Sequence, residues 1–299
     1  MTIIRNDKMA HSTEGIKDII LITGATGDIG SRVVEKLLKR GVRPRVFVRD
    51  AEKAKRLYGG RVDIVTGDLT NEKSLRPAFS SSDSVLLINT GREIPDRDGI
   101  AANAAKAEGV RHLVKLSSLD ARQGFGTGVW HARGEEAIRA RGIGFTFVRP
   151  SGFMSNALFW ADSIKRHGTL RSCTGEGKIA FIHPDDIAEV VTVVLTTHKY
   201  LGESLEITGP EALSYSEMTA KISAAIGKLL VFQPILEEVE TKRLKTAGAP
   251  DWEIEYHLSI YRAIREGRAS VFTDTVERVL GRRPTTFDQW VRENTPAFL

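Results

Sequence analysis

From Asp18 onward the chain alternates short, wholly apolar runs with amphipathic stretches. Ile19-Ile20-Leu21-Ile22 reads as a buried strand. After a glycine-rich turn, the spacing of Ile29, Val33, Val34, Leu37 and Leu38 predicts a helix that Gly41 ends. Further strands are predicted over residues 46–48, 62–65, 85–88, 112–116 and 145–148, with helices over 51–57, 72–79, 100–107 and 131–141 between them. Strand and helix alternate at the spacing of βαβ units, which predicts an α/β fold, a doubly wound parallel sheet of Rossmann type with helices on both faces. Strands that are apolar at every position agree with burial on both sides. After Pro150 the pattern loosens: a helix from Asp185 through Val194, a strand over 204–208, helices over 214–226, 237–246 and 252–265, and a closing segment over 272–299.

Composition narrows the class. The 299 residues are 41% hydrophobic and 27% charged, which fits a globular chain and excludes a disordered one. The single cysteine, Cys173, rules out an internal disulfide, and its polar surroundings with no evident base predict an inert thiol. No apolar run approaches the about 18 residues that span a bilayer, and the N-terminus has no secretory h-region, so a cytoplasmic protein without membrane contact is expected. The net charge of +5 is spread thinly, apart from one local excess at Lys36, Lys39, Arg40, Arg43, Arg45 and Arg49. That cluster reads either as a solvated helix face or as an anion site; it lacks the long stripe and module of a nucleic-acid surface. The histidines show no metal-ligand spacing.

The strongest chemical signal is Thr23-Gly24-Ala25-Thr26-Gly27-Asp28-Ile29-Gly30, directly after the first strand and opening the first helix. Gly24 suits the tight turn, Gly27 lets backbone approach a pyrophosphate, and Gly30 lets helix and strand pack closely. The helix N-terminus offers free N–H groups and a positive dipole end. The second strand ends in Val48-Arg49-Asp50, where a dinucleotide's adenosine ribose would lie. Arg49, with Lys53 one turn on, suits a 2′-phosphate, whereas Asp50 would suit a free 2′-hydroxyl. NADP(H) is the expected cofactor, with NAD(H) bound more weakly. Asp68, closing the third strand in Gly67-Asp68-Leu69, is either an acceptor for the adenine amino group or a plain strand end. The second glycine cluster, Gly175-Glu176-Gly177-Lys178, lacks the hydroxyl residue of a phosphate loop and reads as a turn.

TGATGDIG, VRDAEKAKRL, GDLTN, VKLSSLDA, GIGFTFVRPSGFMSN, FIHPDDIA and the closing GRRPTTF together resemble the NmrA-like branch of the atypical short-chain dehydrogenases/reductases, over roughly residues 18–292. The resemblance implies an NADPH-dependent reductase of quinones, dyes and similar acceptors, or a cofactor-sensing regulator without catalysis. Carried over by motif, Gly24, Ala25, Thr26, Gly27, Asp28, Ile29, Arg49, Lys53, Asp68, Leu69, Asn89, Thr90, Ser117, His131, Phe153, Met154, Ser155 and Asn156 would line the cofactor. The implied organisation is a flexible tail over 1–16, an NADP-binding Rossmann domain over 17–150, and a smaller, mainly helical substrate or partner lobe over 151–299 with some segments returning to the sheet. A monomer or homodimer is expected.

The chain departs from that family in one respect that bears on chemistry. None of its five tyrosines is followed four residues later by lysine, so the Tyr-x-x-x-Lys proton shuttle is absent, and the two positions fall on Thr127 and His131. His131 with Glu135 one turn on resembles the His-x-x-x-Glu arrangement of NmrA-like reductases, and Ser117 and Ser118 occupy the place of the usual catalytic serine. His131 thus reads as a donor to the nicotinamide ribose, as a proton donor to substrate, or as a helix-cap residue; His131 and Ser118 are the candidate catalytic pair. Trp130, Phe153, Phe159 and Trp160 line an aromatic acceptor pocket or pack between lobes. Without a placed acid, the favoured acceptor is a quinone or dye, whose reduced oxygen is a weak enough base to take its proton from water. The competing expectation is a sensor that binds NADP(H) and catalyses nothing; a nucleotide-sugar epimerase or dehydratase is disfavoured by the missing pair.

Overall fold

The computed structural model describes residues 19–299, so the tail expected over residues 1–16 lies outside the described residues. The first half of the chain forms β1 (Ile19–Thr23), α1 (Asp28–Lys39), β2 (Arg45–Val48), α2 (Ala51–Tyr58), β3 (Asp63–Thr66), α3 (Glu72–Phe79), β4 (Ser82–Ile88), α4 (Ile94–Ala107), β5 (His112–Leu116), α5 (Gly128–Arg139) and β6 (Phe145–Pro150). The second half adds α6 (Ala161–His167), β7 (Thr169–Ser172), β8 (Lys178–Ile179), α7 (Pro184–Leu195), β9 (Ser204–Ile207), β10 (Leu213–Ser214), α8 (Tyr215–Ile226), β11 (Val231–Pro234), α9 (Glu237–Thr246), α10 (Asp251–Arg265), α11 (Thr275–Leu280) and α12 (Phe287–Asn294).

Seven parallel strands form one sheet in the order β3-β2-β1-β4-β5-β6-β9. Alternate residues of each strand serve opposite faces. Ile20, Ile22, Leu86, Val114, Leu116 and Val148 pack with α1, α2, α7 and α11. Leu21, Phe47, Val85, Leu87, Leu113 and Phe147 pack with α3, α4 and α5. The connection runs outward from β1 to β3 and then returns to β4 on the other side of β1. Strand order therefore reverses between β1 and β4, which opens a crevice at their carboxyl ends.

A further core, built around Met154, Ile164, Phe181, Met218, Ile264, Phe287, Trp290 and Phe298, belongs to the second half of the chain. Two short strand pairs support it, β11 with β7 and β10 with β8. The FIHPDDIA and GRRPTTF motifs are joined there: the fully buried Asp186 accepts from the Thr285 N–H at 2.6 Å and pairs with Arg282 at 2.7 Å. Several elements differ from the sequence expectation. Strand β4 starts at Ser82, because its first half carries Ser82 and Ser84 where an apolar run was sought. Helix α4 begins at Ile94 rather than Ile100, with Pro95 in its first turn, where a missing N–H costs nothing. The short strands β7, β8, β10 and β11 have no counterpart in the pattern. No described helix is long and apolar enough to cross a membrane.

Candidate active site

The crevice between β1 and β4 is a cleft of about 520 Å³. It is lined by the fingerprint residues Gly24, Ala25, Thr26 and Gly27, by Arg49 and Lys53 after β2, by Asp68, Leu69 and Thr70 after β3, and by Asn89, Thr90 and Arg97 after β4. Its floor is fastened by Thr23, whose hydroxyl donates to the Leu86 carbonyl at 3.0 Å and accepts from the Ile88 N–H at 2.9 Å.

The glycine-rich turn is shaped by contacts within the protein. Gly24 has φ +63° and faces Ile88, so a side chain there would be both strained and crowded. A Cβ on Gly30 would lie 2.2 Å from the Gly24 carbonyl oxygen, so this glycine lets α1 sit against β1. Gly27 is different: its φ is −92°, and the nearest atom to a Cβ is the Gly24 oxygen at 3.3 Å. A side chain at 27 would project mainly into the cleft. The turn is held from outside by Tyr58 of α2, whose hydroxyl donates to the Ala25 carbonyl at 2.5 Å. Burial pushes that phenol up to about 12, so it stays a donor.

Two of the carboxylates near the adenosine end are already engaged. Asp50 caps α2 by accepting from the Lys53 N–H at 2.9 Å, and this bond holds its carboxyl below the usual range. Asp68 accepts from both the N–H and the hydroxyl of Thr70, which lower its pKa with help from Arg49 and Arg97. With Asp50 turned to its helix, Arg49, Lys53 and Arg97 leave a cation-rich wall. Much of the remaining basic excess serves α1 instead: Lys36 and Arg40 pair with Glu189 of α7, and Arg43 with Asp63.

Beyond Asn89, which lines the cleft, lies a set of buried polar groups that are not part of its lining, His131 and Ser117 among them. The Asn89 amide donates to Asp98 at 2.6 Å, and its carbonyl oxygen is buried without a protein partner in a residue that lines the cleft. Asp98 forms an ion pair with Lys115 of β5 at 2.6 Å, both fully buried. His131 is buried on α5 with its Nδ1 unpartnered; burial and the Lys115 charge hold its pKa well below the usual value, so the ring is neutral. Glu135 is not its partner. That carboxylate accepts from Ser117 at 2.6 Å and from Arg149 at 2.9 and 2.5 Å. Ser118 caps the turn after β5 by accepting from the Asp120 N–H at 3.2 Å.

The remaining expected residues divide. Ser155 donates to the second oxygen of Asp28 at 3.0 Å, tying the segment after β6 to the first turn of α1, and Asn156 is exposed close by in sequence. The side chains of Ile29 and Met154 lie in the two cores, and Phe153 packs partly against the first of them. Of the four aromatic residues, Trp160 packs beside Phe181 and Tyr215, Phe159 is 86% exposed, and Trp130 packs against Trp252 and Tyr256 of α10. Cys173 is buried with Leu244, Ile254 and Leu258 rather than set in a polar loop, and burial pushes its thiol up to about 11. Among the described residues no group of acidic, histidine or cysteine side chains is arranged to hold a metal. Sequence reasoning missed Arg97, Tyr58 and the Asp98–Lys115 pair. Pro95 is a signal for the first, since it marks the first turn of α4 in which Arg97 sits.

A cleft with glycines at a helix N-terminus, three cations and an unsatisfied amide oxygen fits a dinucleotide phosphate. A model of the NAD(P)H-binding family matches residues 24–198. The chain belongs to this family, in its NmrA-like branch. It is 34% identical over 283 residues to a (4-alkanoyl-5-oxo-2,5-dihydrofuran-3-yl)methyl phosphate reductase of Streptomyces griseus, covering 94% of this chain and 99% of that one. It is 31% identical over 285 residues to an NAD(P)H azoreductase of Xenophilus azovorans, again covering 94% and 99%. The NADPH-dependent quinone oxidoreductase of Escherichia coli, solved in complex with NADPH, superposes with a TM-score of 0.85 at 26% identity, covering 92% of this chain and 99% of that one.

Proposed function

We propose that this protein is an NADPH-dependent reductase of conjugated small molecules, of the quinone, dye or unsaturated-lactone kind. The observation that carries the cofactor choice is the Asp50 carboxylate bound to its own helix and the Asp68 carboxylate bound to Thr70, which leaves Arg49, Lys53 and Arg97 as the cations lining the cleft. A 2′-phosphate suits that wall, through the Arg49 fork and the Lys53 point charge. When bound, the nicotinamide would supply a hydride. The chain would supply the rest: backbone N–H groups of the Gly24–Gly27 turn toward the pyrophosphate, the free Asn89 oxygen toward a hydroxyl or amide donor, and the neutral His131 as a hydrogen-bond partner to a ribose hydroxyl. A neutral imidazole with a depressed pKa is poor at donating a proton at pH 7, which favours the ribose role for His131 over the acid role.

The relatives named above act on an azo compound, a quinone and an unsaturated lactone phosphate. These acceptors share a conjugated double bond, and the absence of Tyr-x-x-x-Lys favours a quinone, whose reduced oxygen is a weak base, over a simple ketone. The test is oxidation of NADPH, followed by its absorbance, with a small panel: a p-quinone, an azo dye, a triphenylmethane dye and an alkylidene lactone. Turnover with at least one is expected. NADPH binding without oxidation by any of them would overturn the reading in favour of a cofactor sensor.

A further inference from the structure

A carboxyl group on the turn after β5 plays no part in the cofactor cleft. Asp120 follows Ser118 at the carboxyl end of β5, on the same edge of the sheet as the cleft. Its backbone N–H donates to the Ser118 hydroxyl, which in turn hydrogen-bonds its side chain. The chain folds back over it: a Cβ on Gly128 would lie 2.2 Å from the Asp120 carbonyl oxygen, and one on Gly126 would lie 3.2 Å from Oδ2 and 2.7 Å from Ile260 of α10. Helix α10 also brings Tyr256 into electrostatic reach of the carboxyl, and Tyr256 packs on Trp130, the neighbour of His131, at 5.9 Å between ring centroids. Trp252 closes against Trp130 at 6.0 Å, with Arg92 above it. Asp120 and Trp130 are both part-exposed, and the carboxyl lies under Gly126 beside the aromatic side chains of α10.

We propose that Asp120 is the proton donor to the reduced acceptor, held by Ser118 beside the α10 aromatic wall at the carboxyl end of β5. The inference rests on the reductase reading above and extends it to acceptors whose reduced atom is a strong base, such as an azo nitrogen or the α-carbon of an unsaturated lactone. The hydride from NADPH adds to one end of the conjugated double bond and the π electrons move to the other end. The Asp120 O–H bond breaks, its proton bonds that second atom, and the carboxylate left behind is reprotonated by water once the product has left. The protonation state agrees with the geometry: burial pushes the carboxyl up to about 7, against the lowering by Ser118. The titratable group facing it from α10 is Tyr256, kept neutral by its own burial, with Glu253 and His257 behind Tyr256 on the same helix. Gly126 and Gly128, on the segment entering α5, bring no charge.

The test compares the unmutated protein with Asp120→Asn and Asp120→Glu. With an azo dye or alkylidene lactone, Asp120→Asn is expected to lose about a hundredfold in kcat, with Asp120→Glu recovering part of it. The loss with a p-quinone is expected to be at least tenfold smaller. The unmutated kcat falls as pH rises through about 7, and Asp120→Asn loses this dependence. A readout apart from turnover is the carboxyl carbon resonance in protein labelled at aspartate: one signal titrating near neutrality, absent in Asp120→Asn. Melting temperature and NADPH affinity check that the variants are folded. Undiminished azo or lactone turnover in a folded Asp120→Asn, or an Asp120 signal titrating in the ordinary carboxylate range, overturns this inference alone. No NADPH oxidation by the unmutated protein with any acceptor overturns the reductase reading and this inference together.

Discussion

The Lys115 ammonium and the Asp98 carboxylate meet at 2.6 Å with no solvent exposure on either, near enough to His131 for the lysine charge to depress the imidazole pKa. The approach depends on Gly134 of α5, where a Cβ would lie 2.1 Å from Asp98 Oδ2. Asp98 also receives the Asn89 amide, so one carboxylate orients the ends of β4 and β5 together.

Removing one member of this pair strands the other. Asp98→Ala is expected to destabilise the fold by roughly 3–5 kcal/mol, as breaking buried pairs does, while Asp98→Ala combined with Lys115→Met recovers much of the loss. Urea denaturation of the three variants measures this. Equal stability of Asp98→Ala and the unmutated protein would show the pair to be unimportant.

The His131 shift gives stability a pH dependence of fixed sign. The folded pKa lies below the unfolded value of about 6.5, through burial first and the Lys115 charge second. The unfolded chain therefore binds more protons below that pH. His131 contributes stability in full above about pH 6.5, and the contribution is lost as pH falls from there toward the folded value. His131→Gln is expected to flatten the melting-temperature profile between about pH 6.5 and 5 and to weaken NADPH binding or turnover about tenfold (about 1.4 kcal/mol).

Cofactor preference isolates Arg49. By calorimetry NADPH should bind more tightly than NADH, and Arg49→Ala should weaken NADPH by about ten- to a hundredfold, since charge-assisted bonds contribute about 1.5–3 kcal/mol. NADH affinity should change little. Asp50→Ala should lower the melting temperature through loss of the α2 cap without shifting the preference. Equal affinities in the unmutated protein would remove the 2′-phosphate role from Arg49.

Two glycines of the fingerprint, Gly27 and Gly30, should separate binding from folding. Gly27→Val is expected to fold, because its φ of −92° suits any residue, yet to lose the thermal shift that NADPH gives. Gly30→Val is expected to melt early with or without cofactor, because its Cβ meets backbone at 2.2 Å. A Gly27→Val protein that keeps the NADPH shift would sink the dinucleotide assignment of the turn.

Tyr58→Phe removes the one described hydroxyl that reaches the Ala25 carbonyl. A stability loss of about 1 kcal/mol is expected, with weaker NADPH binding from a looser turn. Unchanged affinity would limit Tyr58 to a purely structural part.

Much of this was legible in the chain because local and tertiary signals agree. Most apolar runs became buried strands, with β3 at the sheet edge left without a buried position, and the turn at Gly24 to Gly30 sits where its spacing implies. Arg97 and Lys115 were not legible for definite reasons: Arg97 lies on a helical turn that Pro95 begins rather than interrupts, and Lys115 is a charge inside a strand whose partner is 17 residues away on a helix. Glu135 showed the helical spacing that suggests a contact with His131, but Arg149 from β6 outcompetes it. Such pairings arise between elements, and no periodicity encodes them.

The return of β9 to the sheet and of α7 and α11 to its face has a practical consequence for engineering. Exchanging acceptor recognition between relatives by swapping everything beyond Pro150 would strip the host of its seventh strand and of Ile187, Val191, Leu205 and Val276 from the core around β1. A workable chimera leaves residues 182–207 and 275–280 with the host and transplants the stretches on either side of them. The second half of the chain is thus a mosaic in the gene, part host core and part separate core, and recombination at a single crossover is expected to yield unfolded proteins.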